Sequence, residues 1–129
     1  MKELTKYDSQ GRPIELTWID DNANPTVNEY GVACMRSTYL EASGVSRYES
    51  CYDQSGNPIE DKLGVAMIRR IWDPIQKMET ETYHNLQGEL VEILYGFCEV
   101  HFHLDEQLQL HSVYCYDREG EIVEEPIPF

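Results

Sequence analysis

The chain repeats itself at intervals of 32 or 33 residues, and this period limits what it can fold into more than any other feature. One column of the repeat holds Asp20, Asp53, Asn85 and Asp117, which are spaced by 33, 32 and 32 residues. Two further columns keep the same spacing, and their members are Gly31, Gly64 and Gly96 in one and Ala23, Gly56, Gly88 and Gly120 in the other. Three columns with one period indicate tandem repeats, in which each unit needs its neighbours to bury an apolar face.

Each unit contains two runs that are typical of β-strands, being short and rich in β-branched or aromatic residues. The first runs are Val32–Tyr39, Val65–Trp72 and Phe97–Leu104, and the second runs are Val45–Tyr52, Met78–His84 and Gln109–Tyr116. Short connections join the two runs of a unit, as expected for β-hairpins. The sequence therefore predicts an all-β fold, an antiparallel sheet of about eight strands built from four consecutive hairpin repeats. Both a twisted meander and a partly closed barrel satisfy this pattern.

The period divides one domain, residues 1–129, into units of 1–19, 20–52, 53–84 and 85–116, followed by a final turn and tail at 117–129. The units begin at Asp-x-x-Gly motifs such as Asp53–Gly56 and Asp117–Gly120. Asp caps backbone N–H groups at the first position of a turn, and Gly accepts left-handed backbone geometry at the fourth. These motifs predict turns that separate strands, and the same motif at Asp8–Gly11 closes the first hairpin.

Alternation along the first runs separates two faces of the predicted sheet. The apolar set is expected to be buried, and its members are Ala33, Met35, Ser37, Tyr39, Ala66, Ile68, Arg70, Trp72, Cys98, Val100, Phe102 and Leu104. The opposite set is expected to face solvent and holds Arg36, Thr38, Arg69, Glu99, His101 and His103.

The fullest copy of the repeat runs from Tyr52 to Asp73. Its marked positions are Tyr52, Asp53, Gly56, Pro58, Gly64, Val65, Ala66, Arg69, Trp72 and Asp73. This pattern resembles tandem β-hairpin repeats of many bacterial proteins, with a period of about 32 residues, and is similar in style to YD-type and MORN-like arrays. The likeness covers about residues 7 to 125 and departs in the fourth unit, which has Asn85, Leu90 and His101 in place of Asp, Pro and Arg. The resemblance implies an interaction or scaffold module and supplies no catalytic residues.

Composition restricts further the classes of function that this chain could have. Ten Lys and Arg stand against 24 Asp and Glu, giving a formal charge of −14. Direct binding to nucleic acid needs clustered basic residues, so this charge argues against it. The start of the chain has no signal-peptide pattern, and no apolar run reaches the length of a membrane span. With four cysteines and no secretory signal, we expect free thiols in the cytoplasm.

Three histidines are the candidates for a metal site. His101 and His103 share one face of a strand, and His111 lies in the strand that pairs with it. Pairing of residues 104 and 109 would turn His111 to the other face, whereas a one-residue bulge would reverse that. Solvent-facing histidines are the default interpretation, because zinc requires a complete ligand set. No cofactor is predicted.

The sequence shows no nucleophile beside a base and no phosphate-binding loop, so we do not expect an enzyme. The leading hypothesis is a non-catalytic protein-binding or scaffold module. Its candidate partner-binding residues are Arg36, Tyr52, Arg69, Trp72 and His101. The alternative is an acidic inhibitor that imitates nucleic acid and occupies a basic groove, as some phage anti-defence proteins do. An exposed edge strand also offers a route to a homodimer.

Overall fold

The computed structural model describes residues 1–40 and 45–123. It contains nine β-strands, and their bounds are β1 Lys2–Tyr7, β2 Pro13–Ile19, β3 Pro25–Thr26, β4 Cys34–Tyr39, β5 Ser46–Tyr52, β6 Met67–Asp73, β7 Met78–His84, β8 Glu99–Leu104 and β9 Leu110–Tyr116. The second predicted hairpin loop, residues 41–44, and the end of the predicted tail, residues 124–129, lie outside the described residues. Within the described ranges no helix is long and apolar enough to cross a membrane.

All the strands belong to one antiparallel sheet, which confirms the predicted fold class. Their order is β1-β2-β4-β5-β6-β7-β8-β9, so strands that follow each other in the chain are neighbours, and the two-residue β3 pairs with β2. The two outermost strands, β1 and β9, do not pair with each other, so the sheet is an open meander.

Eight turns in the described part of the chain are each held by one side-chain oxygen. Asp53 Oδ1 accepts hydrogen bonds from the backbone N–H of Ser55 and of Asn57, both at 2.9 Å, and the N–H of Gly56 donates to the Asp53 carbonyl. The same pair of side-chain bonds recurs at Asp8, Asp20, Asn28, Asp61, Asn85, Asp105 and Asp117. These bonds satisfy backbone N–H groups of the turn, which have no partner on a neighbouring strand.

Long connections join β5 to β6 and β7 to β8, and each folds back on the strand that precedes it. Ile59 N–H donates to the Cys51 carbonyl, and Val91 N–H donates to the Tyr83 carbonyl. The same bond joins Val123 to Cys115 after β9. Because these bonds place each connection over the end of its own strand, the connections line up along one side of the sheet.

The connections cover one face of the sheet, here called the inner face, and bury its apolar residues in two clusters. One cluster holds Val65, Tyr83, Ile93, Phe97, Val100 and Cys115, and the other holds Trp18, Val32 and Cys51. Phe97 is only 1% exposed, and burial of such a side chain contributes roughly 2–3 kcal/mol to stability.

The opposite side is here called the outer face. Register and alternation place on β4 to β9 the following outer-face residues: Cys34, Arg36, Thr38, Ser46, Tyr48, Ser50, Tyr52, Met67, Arg69, Ile71, Asp73, Met78, Thr80, Thr82, His84, Glu99, His101, His103, Ser112, Tyr114 and Tyr116. On these strands every outer-face residue except Cys34 is half-buried or exposed. The predicted division into two faces is therefore the one that the structure has.

Three turns in the described part of the chain use a residue other than glycine where the backbone is left-handed, and these residues are Ala23, Lys77 and Leu108. Leu108 has φ 60° and Ala23 has φ 63°, at the turn position that Gly56 fills with φ 83°. A side chain with a Cβ in this conformation costs roughly 1–2 kcal/mol.

Leu108→Gly should therefore raise the free energy of unfolding by about 1 kcal/mol, since Leu108 is exposed and contributes little burial to offset the strain. Gly56→Ala is the matched opposite change and should lower stability by a similar amount, because no atom lies within 4 Å of the added Cβ and only the backbone conformation is affected. Urea unfolding followed by circular dichroism measures both. Equal stability of all three proteins would contradict this account of the turns.

Candidate functional site

The structure places four of the five predicted partner-binding residues on one surface. Arg36, Tyr52, Arg69 and His101 all belong to the outer face, whereas Trp72 lies on the inner face opposite Glu79. The outer face is therefore the candidate site.

At the β2 edge of the outer face, Arg36 lies over Tyr52 with its guanidinium carbon 4.5 Å from the ring centroid. Its Nε is also 3.6 Å from Glu15 Oε1. The thiol of Cys34 donates a hydrogen bond to the same carboxylate at 3.2 Å, and this bond, with Lys6 and Arg36, lowers the pKa of Glu15. The charge of Arg36 is thus compensated within the chain.

In the middle of the outer face, Arg69 stands between Tyr48 on β5 and Thr82 on β7. Its guanidinium carbon is 5.9 Å from the Tyr48 ring centroid, at the far limit of a cation–π contact. Its Nε is buried and has no hydrogen-bond partner in the described part of the chain.

Towards β9 the histidines pack against tyrosines. His101 Nε2 lies 2.6 Å from Glu99 Oε2, and the His101 ring is 4.4 Å from that of Tyr116. His103 meets Tyr114 edge to face at 5.4 Å. The outer face is less solvated than predicted, because its long side chains lie on one another.

The three candidate metal ligands do not come together. The β8–β9 pairing shifts register between His103 and Leu104, so that Ser112 is opposite His103 and His111 has no partner on β8. Among residues 1–40 and 45–123 there is no group of three or more His, Cys, Asp or Glu that could hold a metal ion.

The inner face carries a network of charges that the sequence analysis did not single out. Arg70 Nε lies 2.8 Å from Glu49 Oε1, and Arg70 Nη1 forms an ion pair with Glu81. Arg47 contacts both Glu49 and Glu79. These five residues lie on three adjacent strands, β5, β6 and β7.

Glu81 is the most buried member of the network, at 7% exposure. The hydroxyl of Tyr83 donates to its Oε2 at 2.8 Å. Burial raises the pKa of Tyr83 to about 12, and burial likewise raises the pKa of Cys51 to about 12. Both groups are protonated at neutral pH, so Tyr83 donates its hydrogen bond, Cys51 packs in an apolar cluster, and neither is an activated nucleophile.

A cavity of about 500 Å³ opens beside this network, between the inner face and the connections. Its walls are mainly apolar, and Glu49, Asp61, Arg70 and Tyr83 reach into it. Alternation alone places Arg47, Glu49, Glu79 and Glu81 on the inner face with Arg70. Opposite charges on neighbouring inner-face positions were therefore the sequence signal for this network.

Comparisons with protein-family models, with curated proteins and with solved structures found no match to this chain.

Tyr83→Phe tests the buried network through its pH dependence. At pH 7 we expect the variant to be about 1–3 kcal/mol less stable, because a buried oxygen of Glu81 loses its donor. The pKa of Tyr83 is about 12 in the folded chain against an ordinary 10.0, so the stabilisation that this shift represents is present below pH 10 and lost as the pH rises towards 12.

Wild type should therefore lose about 2 kcal/mol more than Tyr83→Phe between pH 10 and pH 12. Chemical unfolding at a series of pH values measures the difference. Tyr114→Phe is the control, since Tyr114 is 42% exposed on the outer face, and it should follow wild type throughout. Parallel pH profiles for wild type and Tyr83→Phe would show that this phenol is not held as described.

Proposed function

We propose that the protein is a non-catalytic protein-binding module and that it binds its partner with the outer face. The observation that carries the proposal is the composition of that face in a chain of charge −14. It concentrates Tyr, Arg, His and Met side chains, and these are Arg36, Tyr48, Tyr52, Met67, Arg69, Met78, His84, His101, His103, Tyr114 and Tyr116. Tyr, Met and Arg are enriched in protein interfaces, and Tyr and Arg in the hot spots that dominate binding energy.

The arrangement of these side chains also suits binding. Each lies on a paired β-strand, and Arg36 on Tyr52 and His101 on Tyr116 are already in contact. Side chains that are ordered before binding lose less conformational entropy in the complex. A cavity of about 380 Å³ beside Cys34 and Arg36 adds a recess at one end of the surface.

The acidic residues support this proposal over the nucleic-acid mimic. A mimic needs free carboxylates gathered on one surface. Here the carboxylates of Asp8, Asp20, Asp53, Asp61, Asp73, Asp105 and Asp117 accept backbone N–H groups in turns. These turns stand at both ends of the strands, and on β4 to β9 only Asp73 and Glu99 bring a carboxylate to the outer face.

The proposal includes the cytoplasm as the compartment. All four cysteines, Cys34, Cys51, Cys98 and Cys115, are buried and free. Free thiols in a small domain suit a reducing environment, where disulfides are rare.

Ile71→Arg should abolish partner binding. Ile71 is 37% exposed in the middle of the outer face, and an arginine there would replace apolar contact surface with a long, bulky side chain. Ile75→Arg is the matched control, because Ile75 is 90% exposed in the β6–β7 turn, away from the outer face. The experiment captures partners from a lysate of the source cells with immobilised wild type, Ile71→Arg and Ile75→Arg, followed by mass spectrometry.

The expected result is a protein captured by wild type and by Ile75→Arg and lost with Ile71→Arg. Capture by all three proteins would rule out the outer face as the binding surface. A nucleic-acid-handling enzyme that is retained by all three and released by salt would favour the acidic mimic instead.

A further inference from the structure

Arg69 is at the centre of the outer face and carries a charge that no carboxylate in the described chain compensates. Arg36, Arg47 and Arg70 each have a carboxylate oxygen within 4 Å. Arg69 has no such partner among residues 1–40 and 45–123, although its neighbours on the sheet are well ordered strands.

The surroundings of Arg69 also limit its access to water. Its Nε is buried without an acceptor, and Tyr48 and Thr82 flank it across the strands. The Thr82 hydroxyl is already bonded to His84 Nε2 at 2.8 Å. A partly desolvated guanidinium without a counter-charge lowers the stability of the free protein, because removal of a charge from water costs free energy that no ion pair returns.

A carboxylate from outside the chain would remove this cost. Guanidinium groups bind carboxylates through two parallel hydrogen bonds, which are among the strongest in proteins. Met67 and Ile71 lie on the same strand and face, on either side of Arg69, and present apolar surface next to the charge. The ligand that this arrangement fits is therefore an acidic side chain between apolar ones.

We propose that Arg69 is the docking point for a glutamate or aspartate side chain of a partner protein, whose apolar neighbours pack on Met67 and Ile71. This inference rests on the proposed function and specifies the chemistry of the partner. It gives the outer face a polar anchor at its centre, where the residues that dominate binding usually lie.

The probe is an acetylated and amidated peptide with glutamate between two leucines, and its control is the same peptide with glutamine. Binding is followed by the NMR shift of the Arg69 Nε–Hε resonance. We expect a saturable shift with the glutamate peptide and at least about tenfold weaker binding of the glutamine peptide, since only the carboxylate compensates the charge.

Two variants separate this role from a structural one. Arg69→Met should abolish peptide binding and leave the midpoint of thermal unfolding unchanged or raised, because an uncompensated charge is lost. Arg47→Met should lower that midpoint, because Glu49 and Glu79 lose a partner, and should leave binding of the peptide unchanged, since Arg47 lies on the inner face.

Equal affinity for the two peptides, or a fall in the unfolding midpoint of Arg69→Met, would overturn the proposal. Tighter binding of inorganic phosphate than of the glutamate peptide would overturn it in favour of a phosphorylated ligand. If Ile71→Arg abolishes capture of the partner but neither peptide shifts the Arg69 resonance, the outer face remains the binding surface. In that case only the role of Arg69 as its anchor is wrong. If Ile71→Arg captures the partner as wild type does, the proposed function itself fails.

Discussion

The fold depends on one recurring interaction, the acceptance of two backbone N–H groups by a single Asp or Asn side-chain oxygen, which is found at eight turns of the described chain. Asp53 and Asn85 make the same pair of bonds, so the oxygen and its position matter and the charge does not. Because the turn satisfies its own donors, the chain can leave the sheet and return in a fixed register. Register in turn decides which side chains face inward, since a shift of one residue would exchange the two faces.

That register has an unusual consequence on the inner face, where charges alternate with apolar residues. Glu81 could not remain buried alone, and it is held by Arg70 and by the Tyr83 hydroxyl. Removal of the charged partner of such a buried carboxylate typically costs about 3–5 kcal/mol, more than the loss of a neutral hydrogen-bond donor. The network links β5, β6 and β7 by side-chain contacts in addition to their backbone bonds, and β6 is the strand that carries Arg69 on its other face.

The period made the strands, their hairpins and their two faces predictable, because it aligned positions that share one environment. Arg70 and Arg69 illustrate this, since alternation alone predicts that Arg70 lies on the inner face and Arg69 on the outer face. Ile93 occupies the repeat position of Asn28 and Asp61, but it has no side-chain oxygen to accept the N–H groups of the turn and packs in the apolar core instead. The period could not predict this difference. Nor could it decide between open sheet and barrel, which depends on the twist summed over all strands.

The candidate site was predictable in part for the same reason. Arg36, Tyr52, Arg69 and His101 occupy outward positions of the repeat, so their common face follows from alternation. Trp72 follows the opposite phase, so the same alternation placed it in the buried set, and only its aromatic character made it a binding candidate. The sequence could not predict which group contacts each charged side chain of the outer face, because these contacts run diagonally between strands, as between Arg36 and Tyr52.

The division of charge between the ends of the strands and the outer face bears on how a partner would be selected. Carboxylates crowd the turns at both ends, so an acidic partner is repelled wherever it approaches those regions. At the centre of the outer face, Arg69 offers such a partner a positive charge that no carboxylate of the described chain neutralises. Specificity then results from repulsion around the site as much as from attraction within it, which is how natural interfaces commonly exclude wrong docking geometries. An unpaired arginine that weakens the free protein is consistent with this arrangement, because the stability it costs is recovered in the complex alone.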